Sequence, residues 1–372
     1  MKIAMVTEHF PPSWGGVEIH TYELSKELVR LGNEVHVFTP RPERISFADK
    51  VEETHGIVIH RLCGLRLLKS SFSPYNASKL KCYFKEGRFE VVHGQHIFTP
   101  LGFQALFSAG LMFPRPSRVI GTNHSVARGK LEGGLYFLLR RQLKRAFSLA
   151  DKIIAVSRAS AQLLSPLVPP EKVVVIPNGV DTDRFSPRTS RVLYKNEKVV
   201  LACGRLVKAK GFDLLVHAAA ELRDSEVKFV VVGAGKEKEN LVRLAKRLKV
   251  DDKFAFLGSV PYEKLPEIYA SSDVVVVPSR KEAASRVVLE AMASGKPVVA
   301  SRTGGITEFV EDGKWGLLFE QENFRDLARK LSFLLSDRKL ALKMGRRGRK
   351  EAEKYSWRHI AERTLALYRD QT

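Results

Sequence analysis

The chain is poor in cysteine and has no long apolar run. Its 372 residues include three scattered cysteines, Cys63, Cys82 and Cys203. Their spacing gives neither a zinc-ligand pattern nor an even disulfide set, which excludes a disulfide-rich secreted domain and fits a reducing compartment. No run reaches the length of a membrane-spanning helix, and the N-terminus lacks a signal-peptide pattern. We therefore expect a cytoplasmic protein.

Several nucleotide-binding and nucleic-acid-binding signatures are also missing. Gly15 and Gly16 precede the first predicted helix without forming GxGxxG, and Gly233 to Gly235 lack the Walker spacing. No RNA-binding motif with interleaved aromatic residues is present. The glycine pair still permits two interpretations, a close approach to a ligand at a helix N-terminus or an ordinary tight turn.

Acidic residues are outnumbered by basic ones. The chain has 41 Asp and Glu against 62 Lys and Arg, a formal net charge of +21. This excess predicts anionic partners, among which are nucleotide sugars, acidic lipid surfaces and nucleic acid. The same excess of positive charge can simply increase solubility, so the net charge alone does not distinguish these two explanations.

Length and pattern predict an α/β protein of two domains. A chain of 372 residues is long enough for two separate cores. Short buried-strand runs alternate with helical patterns, which predicts parallel sheets with helices on both faces and hence two doubly wound domains that enclose a cleft. We place the boundary near Pro187, in a polar, charge-rich stretch. The predicted strands include Lys2–Thr7, Val35–Thr39, Ile57–Arg61, Val91–His93, Arg118–Thr122, Asp151–Val156, Val173–Ile176, Val199–Cys203, Lys228–Val232, Phe254–Leu257, Val274–Val277 and Val298–Ala300.

The segment Ser279 to Gly305 forms the centre of the predicted site. Glu282 lies on a loop after a strand, and Glu290 falls in the second turn of the helix that Ser285 is expected to cap. The N-terminus of a helix suits a diphosphate, and carboxylates around it suit sugar hydroxyls. The alternative is that Glu282 pairs with neighbouring Arg280 or Lys281 and that Glu290 is a solvated helix position.

Two further strand ends carry candidate residues. Arg205 and Lys210 lie in the loop Gly204–Gly211 after the first strand of the second half, where both could reach one diphosphate or could form a solvated basic loop. His124 follows a strand of the first half, at the carboxyl end where open α/β sheets bind ligands. The alternative for His124 is a satisfied polar residue at a strand end.

Two segments mix basic and apolar residues. Residues 130–149 carry a Leu, Phe and Tyr stripe, and residues 65–81 place basic residues among Leu and Phe. Each could lie on an anionic membrane or be an ordinary helix that faces its own sheet. The basic face of the first segment consists of Arg140, Arg141, Lys144 and Arg145.

Taken together, the motifs resemble those of retaining glycosyltransferases of family 4. The ordered set comprises Gly-Gly before the first helix, PNGVD, GRLVKAKG, VVGAG, E-x7-E followed by AMASGKPVVAS, and GGITEFVEDGKWGLLF. The set covers nearly the whole chain, and its order and spacing are specific. The opening FPPSWGGVEIHTYELSKEL is most similar to the branch with phosphatidylinositol glycosyltransferases and the catalytic subunit that begins GPI-anchor synthesis.

The resemblance implies a GT-B fold, with an acceptor-binding domain at residues 1–186, a nucleotide-sugar-binding domain at 187–354 and a final helix, residues 355–372, that crosses back to the first domain. It implies that Arg205 and Lys210 hold the donor diphosphate, that Glu282 grips the transferred sugar and that Glu290 binds the ribose. His124 would lie beside the reacting sugar. The implied catalytic residues are His124, Arg205, Lys210 and Glu282, and the implied donor-binding residues are Gly15, Gly16, Gly204, Arg205, Lys210, Gly235, Val260, Glu282, Ala284, Ser285, Arg286, Val287 and Glu290.

One departure concerns the loop before the helix. The family usually has Phe-Gly or a similar pair, commonly followed by an apolar residue, where this chain has Ala284, Ser285 and Arg286. Side chains thus occupy a loop that normally contacts the sugar. This difference could change which donor sugar is bound or weaken the activity.

The implied reaction moves a hexose or N-acetylhexosamine from a UDP- or GDP-linked sugar to a hydroxyl group. The branch suggests a lipid or inositol-type acceptor. We therefore also expect the protein to make peripheral contact with the inner face of an anionic membrane. Retention is expected through same-face attack, without a metal or other cofactor. The alternatives are another GT-B sugar enzyme, either a phosphorylase or an epimerase, and a nonenzymatic protein that binds polyanions.

Overall fold

The computed structural model describes residues 1–12, 15–43, 45–46, 48–67, 70–71, 76–126, 140–187, 194 and 197–370. The chain divides into two compact units. The first comprises Met1–Gly179 and Trp357–Thr372, and the second comprises Val180–Ser356. Pro187, where the sequence suggested a boundary, lies just inside the second unit. The final helix belongs to the first unit.

The first unit is built on an eight-stranded sheet. In chain order its strands and those of a small neighbouring sheet are β1 (Lys2–Val6), β2 (Glu34–Pro40), β3 (Ile45–Ser46), β4 (Lys50–Thr54), β5 (Ile57–Leu62), β6 (Gly64–Leu67), β7 (Ser70–Ser71), β8 (Val91–Gln95), β9 (Arg118–Asn123), β10 (Lys152–Ala155) and β11 (Val173–Val175). The sheet order is β11-β10-β9-β8-β1-β2-β5-β4. All neighbours are parallel except β4, which pairs antiparallel with β5.

Helices cover both faces of this sheet. They are α1 (Gly16–Arg30), α2 (Asn76–Gly87), α3 (Pro100–Gly110), α4 (its described part, 140–148) and α5 (Arg158–Leu164), with a 3-10 turn at Pro170–Lys172. Residues of α2, α3, α4 and α5 share one buried cluster with the sheet. Helix α1 shares the cluster on the opposite face with the final helix of the chain. The predicted doubly wound arrangement is therefore confirmed for this unit.

The second unit has a six-stranded, wholly parallel sheet. Its strands are β12 (Lys198–Cys203), β13 (Val227–Val232), β14 (Phe254–Gly258), β15 (Val274–Val277), β16 (Val298–Ser301) and β17 (Gly316–Phe319), in the order β14-β13-β12-β15-β16-β17. The run of four valines in β15 is fully buried, as expected for a strand covered on both faces.

The helices of the second unit surround this sheet. They are α6 (Phe212–Glu221), α7 (Lys238–Arg247), α8 (Leu265–Ala270), α9 (Arg286–Ala293), α10 (Ile306–Phe309), α11 (Phe324–Ser336) and α12 (Arg338–Ala352), with 3-10 turns at Lys208–Lys210, Asp251–Lys253, Tyr262–Lys264 and Glu353–Tyr355. The strands all run parallel, with one longer crossover from β14 to β15, which lies beside β12. The loops after the strands therefore gather at the carboxyl edge of the sheet.

The last helix, α13 (Trp357–Arg369), packs against α1. Trp357 is buried, and a Cβ at Gly179 would lie 2.4 Å from its ring. The glycine of the PNGVD motif thus makes room for the indole that anchors this helix.

The sequence missed several elements. Strands β3, β4, β6, β7 and β17 were not predicted; β4 is an edge strand with a largely exposed pattern, and β3 and β7 have two residues each. Of the two basic and apolar segments, residues 68–69, 72–75 and 130–139 lie outside the described residues. Within the described part of the chain, no helix is both long and apolar enough to cross a membrane.

Candidate active site

Lys210 and Glu282 meet at the carboxyl edge of the second sheet. Lys210 ends the 3-10 turn after β12, and Glu282 lies on the loop between β15 and α9. The ammonium lies 2.5 Å from Oε2 of Glu282, and the hydroxyl of Ser279 donates to the same oxygen at 3.0 Å. Two of the residues for which the resemblance implied catalytic roles are therefore in direct contact.

Arg280 does not pair with Glu282, so the simple surface pairing considered for that residue is wrong. Its guanidinium instead forms two bonds to the carboxylate of Asp213, at 2.7 and 2.8 Å, and one to the carbonyl of Lys208 at 2.9 Å. The hydrogen bond from Arg280 and its charge lower the pKa of Asp213 although burial alone would raise it. Arg280 therefore joins the Lys210 loop to the Glu282 loop.

Glycines allow these loops to approach each other closely. At Gly304, with φ of 48°, a Cβ would lie 2.2 Å from the carbonyl oxygen of Glu282. At Gly235, with φ of 159°, it would lie 2.3 Å from the carbonyl oxygen of Leu206. Any side chain would push the strand-end loops apart, so both positions require glycine. Gly235 accordingly has a structural role here in addition to its predicted role in donor binding.

Glu290 is buried rather than solvated. It is 3% exposed, its Oε1 accepts from Arg286 at 2.6 Å, and its Oε2 accepts from the hydroxyl of Tyr269 at 2.9 Å. Burial raises the pKa of Tyr269, and the charge of Glu290 adds to this effect. Both oxygens thus have a fixed protein donor, and the solvated interpretation of Glu290 is wrong.

Arg286 also lies over an aromatic ring. Its guanidinium carbon is 5.4 Å from the ring centroid of Tyr262, and that of Arg184 is 4.9 Å from the same centroid. Such distances favour cation–π attraction. Tyr262 follows Val260, a half-buried residue implied to bind the donor, by two positions. This part of the chain therefore contacts Arg286 through the ring of Tyr262.

The other predicted loop residues are distributed around these contacts. Ala284 and Ser285 are buried, and Val287 is half-buried. Ser285 occupies the N-cap position of α9 as expected, but its side chain makes no capping hydrogen bond. Arg205 is exposed and forms no ion pair with any described residue, and Gly204 precedes it at a φ of 146°.

His124 lies at the carboxyl edge of the first sheet. Its Nε2 is 3.0 Å from Oε1 of Gln95, and its ring meets that of His20 edge-on, with centroids 4.6 Å apart. Burial lowers the pKa of His124 well below its usual range, and the neighbouring His20 lowers it further. His124 is therefore a neutral side chain at neutral pH.

Gly15 and Gly16 begin α1, the helix that carries His20. Gly15 is the N-cap residue in an extended conformation. At Gly16 a Cβ would meet no described atom within 4 Å. The packing of the first unit therefore gives no reason for glycine at position 16, in contrast to Gly235 and Gly304.

Sequence patterns did not identify the residues that support the predicted ones. Tyr269, Ser279, Gln95 and His20 each touch a candidate residue. Tyr269 and Gln95 lie outside the motifs, and neither Ser279, at the start of the central segment, nor His20, in the opening motif, was given a role. Tyr269 is twenty-one positions from Glu290 in the chain. The only available signal was the repeated occurrence of polar residues at predicted strand ends, which points to an edge of the sheet and not to particular pairs. Within the described residues no cluster of three or more His, Cys, Asp or Glu side chains could hold a metal ion.

Two family models match the chain. Residues 14–184 match the model described as Glycosyltransferase Family 4, and residues 183–351 match Glycosyl transferases group 1. Together they extend over both units.

Relatives match along nearly the whole length. A D-inositol 3-phosphate glycosyltransferase of Corynebacterium aurimucosum is 30% identical over 100% of this chain and 96% of its own. A GDP-mannose-dependent alpha-(1-6)-phosphatidylinositol monomannoside mannosyltransferase of Mycolicibacterium smegmatis is 30% identical over 98% and 97%. A phosphatidylinositol N-acetylglucosaminyltransferase component of Arabidopsis thaliana is 28% identical over 99% and 81%.

Solved structures share the fold. Sucrose-phosphate synthase from Thermosynechococcus elongatus superposes with a TM-score of 0.85 at 22% identity, covering 99% of this chain and 98% of its own. Anabaena HepE in complex with UDP and glucose gives a TM-score of 0.78 at 21% identity and covers 99% of both chains. The family models, the full-length relatives and the two α/β units agree with the motif-based expectation, and the chain belongs to the family 4 glycosyltransferases of the GT-B fold.

Proposed function

We propose that this glycosyltransferase moves a hexose or N-acetylhexosamine, with retention, from a nucleoside diphosphate sugar to a hydroxyl of an inositol-type or phosphatidylinositol-type acceptor. The observation that carries the proposal is the contact of Lys210 with Glu282, with Ser279 on the same oxygen, on the loop that leads into α9. It joins a cation suited to a diphosphate and a carboxylate suited to sugar hydroxyls in one place.

The leaving diphosphate would be stabilised by Lys210 and Arg205. An ammonium has three N–H donors, so the bond to Glu282 leaves Lys210 two for phosphate oxygens. Arg205 is exposed and has no described ion-pair partner, so its planar fork is available for bidentate contact. The first N–H groups of α9 add partial positive charge. These groups supply the positive charge that phosphate departure requires, and we propose that no metal or cofactor is needed.

Glu290 would bind the ribose of the donor. Each carboxylate oxygen accepts one bond, from Arg286 or from Tyr269, and has capacity for a second. The two protein donors fix the orientation of the carboxylate, which presents its remaining lone pairs to a pair of hydroxyls. Gly16 would approach the donor phosphate, and His124 would lie beside the reacting sugar near the acceptor. If Nε2 of His124 donates to Gln95, its Nδ1 is left to accept from a hydroxyl.

The acceptor proposal is supported by the relatives. The names of three of them specify inositol phosphate or phosphatidylinositol compounds. One of those names specifies GDP-mannose and one an N-acetylglucosaminyl group, whereas the HepE structure contains UDP and glucose. The donor therefore stays open between UDP- and GDP-linked sugars. A phosphatidylinositol acceptor would require the protein to work at a membrane surface on the side where the nucleotide sugar is available.

The first experiment is thermal unfolding with a panel of nucleoside diphosphates and nucleotide sugars, because a ligand that binds only the folded chain raises its melting temperature. One base is expected to produce the shift. The shift should vanish in Lys210→Ala and persist in Lys208→Ala, which changes an exposed lysine of the same turn. No shift with any nucleotide would contradict the proposed donor site.

The second experiment is a transfer assay with the identified donor and either inositol phosphate or phosphatidylinositol in mixed micelles. Nuclear magnetic resonance of the product gives its anomeric configuration, and an inverted product would contradict retention. Consumption of the donor that depends on free phosphate, or interconversion of the sugar without acceptor, would identify a phosphorylase or an epimerase.

A further inference from the structure

Three exposed apolar side chains lie close together at the end of α3. Phe107 is 43% exposed, Leu111 52% and Phe113 89%. They are three of the seven large apolar residues that are exposed in the described part of the chain, yet they fall within one short segment. Isolated exposed apolar residues are ordinary, but a cluster marks a surface that has a partner.

The helix itself directs these residues outwards. Helix α3 packs its core face, with Leu101, Ala105 and Ala109, against the sheet. Phe107 and Leu111 are four positions apart and both exposed, which places them on one outer face. The rings of Phe103 and Phe107 stack with centroids 6.4 Å apart. Phe103 is half-buried and packs against the core, so it supports Phe107 from the inner side. The exposed residues Phe107, Leu111 and Phe113 are together called the α3 ridge.

A basic helix lies on each side of the α3 ridge. On one side the hydroxyl of Ser108 donates to the carbonyl of Ala77 in α2 at 2.8 Å. On the other side Arg115 donates to the carbonyl of Leu149, just after α4, at 2.8 Å. Glu86 is the sole acidic residue of α2 and of the described part of α4. The exposed basic residues beside the ridge are Lys81, Lys85, Arg88, Arg140, Arg141, Lys144 and Arg145.

We propose that the α3 ridge docks the first unit onto an anionic lipid bilayer. The ridge residues would enter the boundary between headgroups and acyl chains, and the flanking lysines and arginines would contact acidic headgroups. An apolar line with cations on both sides matches the layered polarity of a bilayer surface, where apolar insertion and electrostatic attraction add. The basic segment 130–149 was one of the two membrane candidates in the sequence, and its described part is α4.

Other partners fit these observations less well. A nucleic acid or an acidic protein would be held by the cations alone and would gain little from Phe113, which projects almost fully into solvent. A second copy of the chain would bring like charges together on both sides of the ridge, which opposes association. The bilayer accounts for both the apolar and the basic parts.

Docking through the ridge would explain how the protein reaches a lipid acceptor, and in this respect it rests on the proposed function. Docking through the ridge would hold the first unit at the surface in which a phosphatidylinositol acceptor is embedded. Vesicle binding can be measured without donor or turnover, so failure of docking and failure of the transfer reaction are separate results.

The test is sedimentation of the full-length protein with vesicles of phosphatidylcholine alone and of phosphatidylcholine mixed with phosphatidylserine. We expect binding to the mixed vesicles and weakening by salt. Phe113→Ser should lower the partition constant about tenfold, and Arg141→Glu with Lys144→Glu should lower it by on the order of a hundredfold. Leu342→Ser is the matched control, because Leu342 is 49% exposed on basic helix α12 of the second unit, and it should bind normally.

Thermal unfolding without vesicles establishes that each variant is folded. Equal loss of binding in Leu342→Ser and Phe113→Ser would overturn the proposal, as would equal binding to the two kinds of vesicle. Binding that depends on the cations but not on Phe113 or Leu111, with heparin competing fully, would also overturn it and would indicate a polyanionic partner.

Discussion

The guanidinium of Arg286 donates to Oε1 of Glu290 at 2.6 Å, one turn further along α9. The two side chains are 15% and 4% exposed, so this is a nearly buried ion pair. Arg286 stands where the resemblance implied an apolar residue. The structure shows what the exchange does in this chain, since the arginine compensates a buried carboxylate and also lies over Tyr262.

Removal of the arginine should therefore destabilise the protein. Arg286→Met leaves the carboxylate of Glu290 buried with Tyr269 as its remaining described donor, and we expect the free energy of unfolding to fall by about 3 kcal/mol. Urea denaturation measures this change. The matched control is Arg358→Met, which breaks an ion pair of the same spacing with Glu362. That pair is exposed, so the control should change stability by no more than about 0.5 kcal/mol.

The double variant Arg286→Met with Glu290→Gln extends this test. If the uncompensated charge is the cause, neutralising Glu290 should restore most of the lost stability. Equal destabilisation in the single and the double variant would show instead that Arg286 acts through its packing on Tyr262.

A second prediction separates the roles of Lys210 and Glu282. Lys210→Ala should weaken binding of the nucleoside diphosphate by about tenfold or more, because a charge-assisted hydrogen bond is lost. Glu282→Gln retains an oxygen for Ser279 and Lys210 but removes the charge, so it should leave diphosphate binding unchanged and lower the transfer rate by on the order of a hundredfold. Calorimetric titration and initial rates provide the two measurements. Normal turnover in Glu282→Gln would restrict Glu282 to a structural role.

The sequence predicted the strand ends at which the candidate residues lie but not how their side chains pair. Alternating buried runs and helical patterns are local properties, so the parallel sheets and most strand bounds followed from them. The positions of Glu282 on a loop and of Glu290 on the following helix were also predicted, because both residues lie within one strand–loop–helix unit. The bonds from Tyr269 and Lys210 join residues that are distant in sequence, and they depend on how α8 and the β12 loop pack at the edge of the sheet. A local pattern contains no information about such packing.

The fully buried His93 predicts a pH dependence of stability. Its Nδ1 lies 2.6 Å from the hydroxyl of Tyr368 and its Nε2 lies 2.6 Å from that of Thr122. Burial, followed by the charge of nearby His20, lowers the pKa of His93 to about 3. Below the ordinary value the unfolded chain binds the proton and the folded chain does not. The stabilising contribution is therefore complete above about pH 6.5 and falls by about 1.4 kcal/mol per pH unit as the pH drops towards 3.

Denaturation of the wild type and of His93→Gln between pH 7 and pH 4 checks this dependence. Other groups titrate in the same range, so the comparison uses the difference between the two proteins. The variant should lose less stability per pH unit than the wild type. Parallel curves for the wild type and His93→Gln would contradict the assignment.

Gly16 offers a test in which function and stability should separate. A Cβ at this position meets no described atom within 4 Å, and the residue begins α1, where alanine is a better helix former than glycine. Gly16→Ala should therefore keep or slightly raise the melting temperature. If the donor phosphate approaches this backbone, the added methyl should raise the KM for the nucleotide sugar or lower kcat.

Gly304→Ala is the contrasting variant, because its Cβ would lie 2.2 Å from the carbonyl oxygen of Glu282 at a φ of 48°. This variant should lose both stability and activity. Normal kinetics in a stable Gly16→Ala protein would show that the paired glycines form only a tight turn, which was the alternative interpretation of the sequence.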